Sequence, residues 1–273
     1  CKRHYRLYIW KTSTINTSKR KDPEAAVSYY HEQGIPSEAV NEYLLNIANS
    51  NFESWRRANK DKDISEFKFE INKMSVSGAI FDLIKLLDVS KNVISKYSKE
   101  KVYADALEWA KRYDEELVEM LNNKEYSLKV LGIERGNQKP RKDIAKWSDI
   151  KHCIIYMYED KFFNSDETYD FGKISDKDEI KKILKLYKEK YFNIEDDKQT
   201  WFDKMKDLSE ELGYAREVKE YKQDPEKWPG HVGDISTVLR VALTKRQNTP
   251  DLYEIMQVLG KESIEKRLEK EYK

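Results

Sequence analysis

Along most of the chain apolar residues recur every three or four positions, the spacing that holds them on one face of an α-helix. Beyond Ser37, the residues Val40, Leu44, Ile47 and Ala48 share such a face. Val102, Ala106, Trp109 and Ala110 make a second, Ile180, Ile183, Leu184 and Tyr187 a third, Ile235, Val238, Leu239 and Ala242 a fourth, and Leu252, Ile255, Met256 and Leu259 a fifth. Asp22-Pro23-Glu24 predicts a helix start, because Asp caps free amides, Pro suits the first turn and an acid meets the positive end of the helix dipole. Gly34 predicts that helix's stop, and residues 52–60 read as a polar helix. Two stretches break the pattern. Tyr5-Arg6-Leu7-Tyr8-Ile9-Trp10 partly alternates large and polar side chains, which predicts a short extended segment near the N-terminus, with a polar loop at 12–18 after it. Residues 64–80, where Phe67 and Phe69 alternate ahead of a Ser/Gly run, predict an irregular or short extended element. Helices are interrupted at 132–140, 164–178, 195–199 and 224–233; the first and last of these carry Pro and Gly and are candidate functional loops. The fold class expected is mainly α.

Composition narrows the class without naming a partner. At 273 residues the chain has room for two helical domains with real cores. Nine Gly and six Pro are too few turn signals for an all-β sandwich. With 51 basic against 50 acidic residues the net charge is +1, so any attraction to nucleic acid has to come from local patches. No run of 18 apolar residues is present, which predicts no membrane span. Cys1-Lys2-Arg3-His4 is followed by no apolar region and is not read as a signal peptide; the absence of an initial Met suggests a fragment or a processed start. Cys1 and Cys153 make neither a disulfide framework nor a Cys-x-x-Cys site, which points to a reducing, cytoplasmic setting. His4, His31, His152 and His231 are scattered, with no spacing for zinc, and there is no Gly-x-Ser-x-Gly elbow or Walker loop.

The sharpest local signal is Ser18-Lys19-Arg20-Lys21-Asp22-Pro23, a basic loop running into a capped helix. Ammonium groups beside free helix amides suit a polyphosphate; a solvated basic loop has the same residues. The string SKRKDPEAAVSYYHEQGIPSEAVNEYLLNIANSNFESWRRAN that begins there resembles the glutamate–tRNA ligases of the class I synthetase group. In that family a KMSKS-type loop, Lys-Ile/Leu-Ser-Lys-Arg, binds ATP phosphates during glutamate activation. Ser18, Lys19 and Arg20 match it, while Asn16 and Thr17 stand where the first Lys and the aliphatic residue are usual. FKFEINKMSVSGAIFDLIKLLDV, from Phe67 to Val89, is similar to the family's stem-contact region through Phe81, Asp82, Lys85 and Leu86. Lys73-Met74-Ser75-Val76-Ser77 looks closer to the loop consensus but sits where the family has an ordinary segment, so a structural role is expected. Trp228-Pro229-Gly230-His231-Val232-Gly233-Asp234 looks like a class I nucleotide-binding turn without the preceding strand, and Gly233-Asp234 is read as a turn and helix cap.

The last similar stretch, Asp234 to Lys270, resembles the family's final helical subdomain, in which an Arg and the Thr-Pro at the next helix start contact anticodon bases. Arg240, Thr249 and Pro250 occupy those positions. A guanidinium forks onto a base edge or phosphate and stacks on an exposed base; a salt-bridged surface role for Arg240 stays open. Lys139-Pro140-Arg141, with Asp143 and Trp147, resembles a segment whose Arg reads the third anticodon base, which makes Arg141 the candidate; a plain helix start at Pro140 stays open. Residues 158–227 are placed on no segment of the family by this reading, and Tyr156, Tyr158, Phe162, Phe163 and Tyr169 are expected in the core.

The resemblance implies three parts: 1–97, the end of the catalytic half with the stem-contact region; 98–223, a first helical anticodon-binding subdomain; and 224–273, a second. It implies a tRNA-binding C-terminal portion of an enzyme that joins glutamate to tRNA(Glu) through a glutamyl-adenylate. ATP and Mg would serve the full-length ligase, whose N-terminal Rossmann domain is the missing partner. The isolated chain is then expected to be an inactive monomer that binds tRNA, takes no cofactor or metal and avoids membranes. The alternative is an all-helical protein-interaction or scaffold module without RNA binding.

Overall fold

The computed structural model describes residues 26–74 and 81–270. Among them fourteen α-helices and no strand are found, and the chain forms two compact units, one of residues 1–122 and 135–153, the other of 123–134 and 154–273. The predicted extended segment at 5–10, the loop at 12–18 and the helix start at Asp22 lie outside the described residues.

In the first unit α1 (Val27–Gln33) stops at Gly34, whose φ of 76° is left-handed. A Cβ on Gly34 would lie 2.8 Å from Trp147 Cβ and 3.0 Å from the Trp147 backbone nitrogen, so both the dihedral and the space demand glycine. Helices α2 (Ser37–Ala48), α3 (Phe52–Ala58) and α4 (Leu83–Ser95) follow, and α2 packs on α4. Their shared core holds Ile35, Ala39, Tyr43, Leu86 and Val93, with Val40 and Ile47 flanking it. The buried face of α2 is thus turned from the predicted one, because Tyr43 both fills the core and receives the Asp82 backbone N–H on its hydroxyl at 2.6 Å. Asp82 in turn caps α4, accepting from the amides of Ile84 at 2.9 Å and Lys85 at 3.2 Å. The described part of 64–80 forms two single 3-10 turns, Ile64–Glu66 and Ile71–Lys73, not an extended element. Phe67 packs edge-on against Phe52, ring centroids 4.9 Å apart, so its burial comes from an aromatic cluster and needs no sheet neighbour. Helix α5 (Lys99–Tyr113) is capped by Ser98 and buries Val102, Ala106 and Ala110. After α6 (Glu115–Met120), α7 (Lys124–Gly132) belongs to the other unit, and the chain then returns through Arg135 to α8 (Trp147–Ile154).

The second unit adds α9 (Glu159–Asn164), α10 (Lys177–Leu186), which runs into a π-turn at Tyr187–Tyr191, and then α11 (Lys198–Glu211) and α12 (Val218–Gln223). Its centre is α13 (Val232–Thr244), against which α10, α11 and α14 (Leu252–Leu268) pack. Ile235, Val238, Leu239 and Ala242 are buried as the periodicity predicts, and so are Val241 and Leu243, which makes α13 apolar on nearly all sides. The cap expected at Gly233-Asp234 is a reciprocal one: His231 Nδ1 accepts from the Gly233 amide at 3.0 Å, and Asp234 accepts from the His231 amide at 2.9 Å. The look-alike nucleotide-binding turn is therefore occupied in starting α13.

Candidate nucleic-acid interface

Helix α13 ends at Lys245, a left-handed residue with φ of 59°, whose amide donates to Val241 O at 2.7 Å. Thr244 Oγ1 accepts from the Arg246 amide at 3.2 Å and donates to Arg240 O at 2.7 Å, fastening the turn to the helix. The chain then doubles back so that Thr249 and Pro250 lie beside Arg240. Arg240 Nη1 donates to Pro250 O at 2.7 Å, to Thr249 O at 3.3 Å and to Thr249 Oγ1. Asp251 follows as the cap of α14, accepting from the Glu254 amide at 3.0 Å. Arg240 and the Thr249-Pro250 pair, which begins nine residues later, are thus side by side.

Arg240 is half-buried and is not the salt-bridged surface residue left open above: no carboxylate lies in ion-pair range of it among the described residues. All its hydrogen bonds use Nη1, and among the described residues the Nε–Nη2 edge makes none. Burial pushes its guanidinium down from the ordinary arginine value, with Asp251, Tyr156 and Glu134 opposing the shift. Neutral acceptors orient the group without cancelling its charge, which leaves the two-pronged edge able to meet a phosphate or a base edge.

Arg141 lies in the other unit, and its environment is the reverse. Its side chain is only 4% exposed, and its Nε–Nη2 edge is engaged by Asp143, with Nε to Oδ1 at 2.7 Å and Nη2 to Oδ2 at 2.5 Å. Burial raises the Asp143 carboxyl, but the hydrogen bonds and charge of Arg141 outweigh it and hold the group below the usual carboxylate range. Arg135 stands next to the pair and donates to Ile94 O at 2.8 Å, at the C-terminal end of α4; burial and the neighbouring Arg141 bring its guanidinium down to about 10. Pro140 begins no helix, since α8 starts seven residues later at Trp147.

Ser18, Lys19 and Arg20 lie outside the described residues, as does Ser75 to Ser77 of the second loop look-alike. Of the aromatics expected in the core, Tyr156 and Phe162 are buried, while Tyr158, Phe163 and Tyr169 are half-buried. Sequence reading missed the cations that surround this group, Lys245, Arg246, Arg267 and Lys270. The signal available for them was the Lys-Arg pair following α13 and the Lys-Arg-rich end of α14.

Among the described residues no group of His, Cys, Asp and Glu is arranged to hold a metal ion, and no helix is long and apolar enough to cross a membrane.

Comparison with known proteins bears on the Arg240 site directly. A family model described as an anticodon binding domain matches residues 230–271, the stretch that carries α13, α14 and all three site residues. The chain is similar to the glutamate–tRNA ligase of Clostridium perfringens strain SM101, 48% identical over 95% of this chain and 47% of that protein. It is also similar to those of Acetivibrio thermocellus, 46% identical over 93% and 46%, and Sorangium cellulosum, 43% identical over 92% and 44%. The chain spans about half the length of the curated relatives it matches, corresponding to their C-terminal part. A crystal structure of a glutamate tRNA ligase from Elizabethkingia meningosepticum in complex with its amino acid shares the fold, with a TM-score of 0.59 at 16% identity over 96% of this chain and 49% of that one.

Proposed function

We propose, from the chain's resemblance to the C-terminal part of bacterial glutamate–tRNA ligases, that it is the tRNA-binding portion of such a ligase and that Arg240, Thr249 and Pro250 contact the anticodon of tRNA(Glu). The observation that carries this is the Arg240 group itself: a guanidinium oriented by neutral acceptors, with its two-pronged edge open, inside the residues that match an anticodon-binding model. Single-stranded loop bases present Watson–Crick edges that such a fork reads, and the backbone beside them supplies phosphates. Arg141 takes part in reading the third anticodon base by exchanging Asp143 for the base. Residues 1–97 form the end of the catalytic half and the stem-contact region, and 98–223 and 224–273 serve the anticodon.

The parent enzyme would join glutamate to tRNA through a glutamyl-adenylate, with Ser18, Lys19 and Arg20 meeting ATP phosphates. ATP and Mg belong to that full-length cytoplasmic enzyme. The isolated chain is a monomer that binds tRNA and activates nothing. Fluorescence anisotropy with a labelled tRNA(Glu) anticodon hairpin tests the reading: binding should weaken steeply with salt, because each neutralised phosphate releases counterions. Absence of binding at low salt would favour a protein-interaction module. Glutamate-dependent exchange of pyrophosphate into ATP by this chain alone would overturn the assignment of catalysis to the missing half.

A further inference from the structure

Beyond Arg240, the same unit concentrates positive charge around one set of rings. Lys245 is 7% exposed, and its Nζ donates to Ser165 O at 2.8 Å and lies 5.2 Å from the Phe162 centroid and 5.5 Å from that of Tyr169. Arg267, fully buried, donates to Leu243 O at 2.5 Å and sits 4.0 Å over Phe162. Lys270, half-buried at the end of α14, reaches the same place, 5.9 Å from Phe162, 5.3 Å from Phe163 and 5.8 Å from Tyr169. Three cations therefore crowd one ring. Of the acids nearby, Glu167 pairs with Arg246 at 3.0 Å and Glu159 with Lys266 at 3.0 Å, while Asp166 and Glu167 offset part of the Lys245 charge from beyond ion-pair range. Among the described residues neither Lys245 nor Lys270 has a carboxylate in ion-pair range.

Aromatic faces stabilise these cations in part but do not neutralise them, so the basin keeps a net positive charge. Phe163 and Tyr169, both half-buried, form its rim, and a rim of rings beside a lysine is the chemistry of a single-stranded nucleic-acid groove, where bases stack and the ammonium meets the backbone. Lys245 follows Arg240 by five residues, about 7.5 Å along a helix axis, so the basin and the Arg240 fork are within reach of neighbouring nucleotides of one strand.

We propose that this basin is a second RNA contact: Lys270 binds a backbone phosphodiester, Phe163 stacks on the unpaired base next to it, and buried Lys245 and Arg267 supply the field that draws the phosphate in. The proposal rests on the RNA-binding reading and adds to it a sequence-independent contact in residues outside the Arg240 group. It is tested with the full chain, an anticodon-type hairpin and a duplex RNA of equal length, by anisotropy over a salt series. Lys270→Ala should weaken hairpin binding about threefold, the share of a single phosphate contact, and make the salt slope shallower by about 1. Lys270→Arg should restore both, and the melting temperature of Lys270→Ala should match the parent. Phe163→Ala should weaken the hairpin and leave the duplex unchanged. If Lys270→Ala and Phe163→Ala bind like the parent while Arg240→Ala weakens, the basin is not an RNA contact and the broader reading stands. If the parent chain binds no RNA at low salt, both fail. Titration with inorganic phosphate, followed by NMR at Lys270, separates the remaining source: phosphate bound at the basin with RNA affinity insensitive to Lys270→Ala assigns it to a free anion and overturns the proposal.

Discussion

Arg141 and Arg240 are the same side chain put to opposite uses. In Arg141 the Nε–Nη2 edge is closed by the Asp143 carboxylate and the side chain is 4% exposed. In Arg240 that edge makes no hydrogen bond among the described residues, and orientation comes from Nη1 through the carbonyls of Thr249 and Pro250. The first arrangement neutralises the cation and ties a loop; the second preserves the cation and aims it. The family resemblance makes both candidate base readers, and of the two only Arg240 keeps its Nε–Nη2 edge without a hydrogen bond among the described residues. The difference lies in the acceptor, because a carboxylate cancels charge and a carbonyl does not.

The comparison breaks most visibly at Asp143. Asp143→Ala should lower the unfolding free energy in urea by roughly 1.5–3 kcal/mol, the range for a hydrogen bond to a charged group. That is less than a fully buried pair would lose, because the Asp143 side chain keeps 37% exposure. An unchanged midpoint would show that the pair ties nothing. The pH dependence follows the same bond. The Asp143 carboxyl is held below its ordinary 3.8, so its contribution is fully present above that pH and is lost as pH falls through the lowered folded value. Asp143→Asn should flatten stability across that acid window.

Arg240→Ala should weaken hairpin binding by about 1–3 kcal/mol if its open edge meets a base, with a control hairpin of altered anticodon less affected. Equal losses on both RNAs would reduce the contact to a phosphate. Asp143→Ala sharpens the contrast from the other side: with its fork released, Arg141 should bind the third anticodon base more tightly by about 1 kcal/mol, the net worth of one hydrogen bond. No gain, tested against hairpins varied at that base, would leave Arg141 with a structural role only. Thr249→Val removes one acceptor from Arg240 while its two carbonyl partners remain, and should cost roughly 0.5 kcal/mol of affinity, the low end for a single hydrogen bond.

Much of the second unit was legible from periodicity. Ile180, Ile183, Leu184 and Tyr187, and the apolar face of α13, are buried as their spacing implies, because a helix that must hide one stripe writes the stripe into its sequence. Helix α4 and the turned face of α2 were harder to read. Their contacts depend on Tyr43 reaching Asp82 39 residues away, and a local pattern does not carry such a pairing. Residues 64–74 read ambiguously for a similar reason, since Phe67 is held by Phe52 and Trp55 and not by its own neighbours.

By itself the sequence determined the helical class, the stop at Gly34, the turn and cap at Gly233-Asp234, and the family whose C-terminal part this chain resembles. These rest on local backbone preference or on residue identity, and both are written along the chain. Only the tertiary structure decided which arginine edge is open, that Arg240, Thr249 and Pro250 form one group, and that Lys245, Arg267 and Lys270 converge on Phe162. Charge and hydrogen bonding act through distance in space, and residues up to about a hundred positions apart become neighbours only when the helices pack.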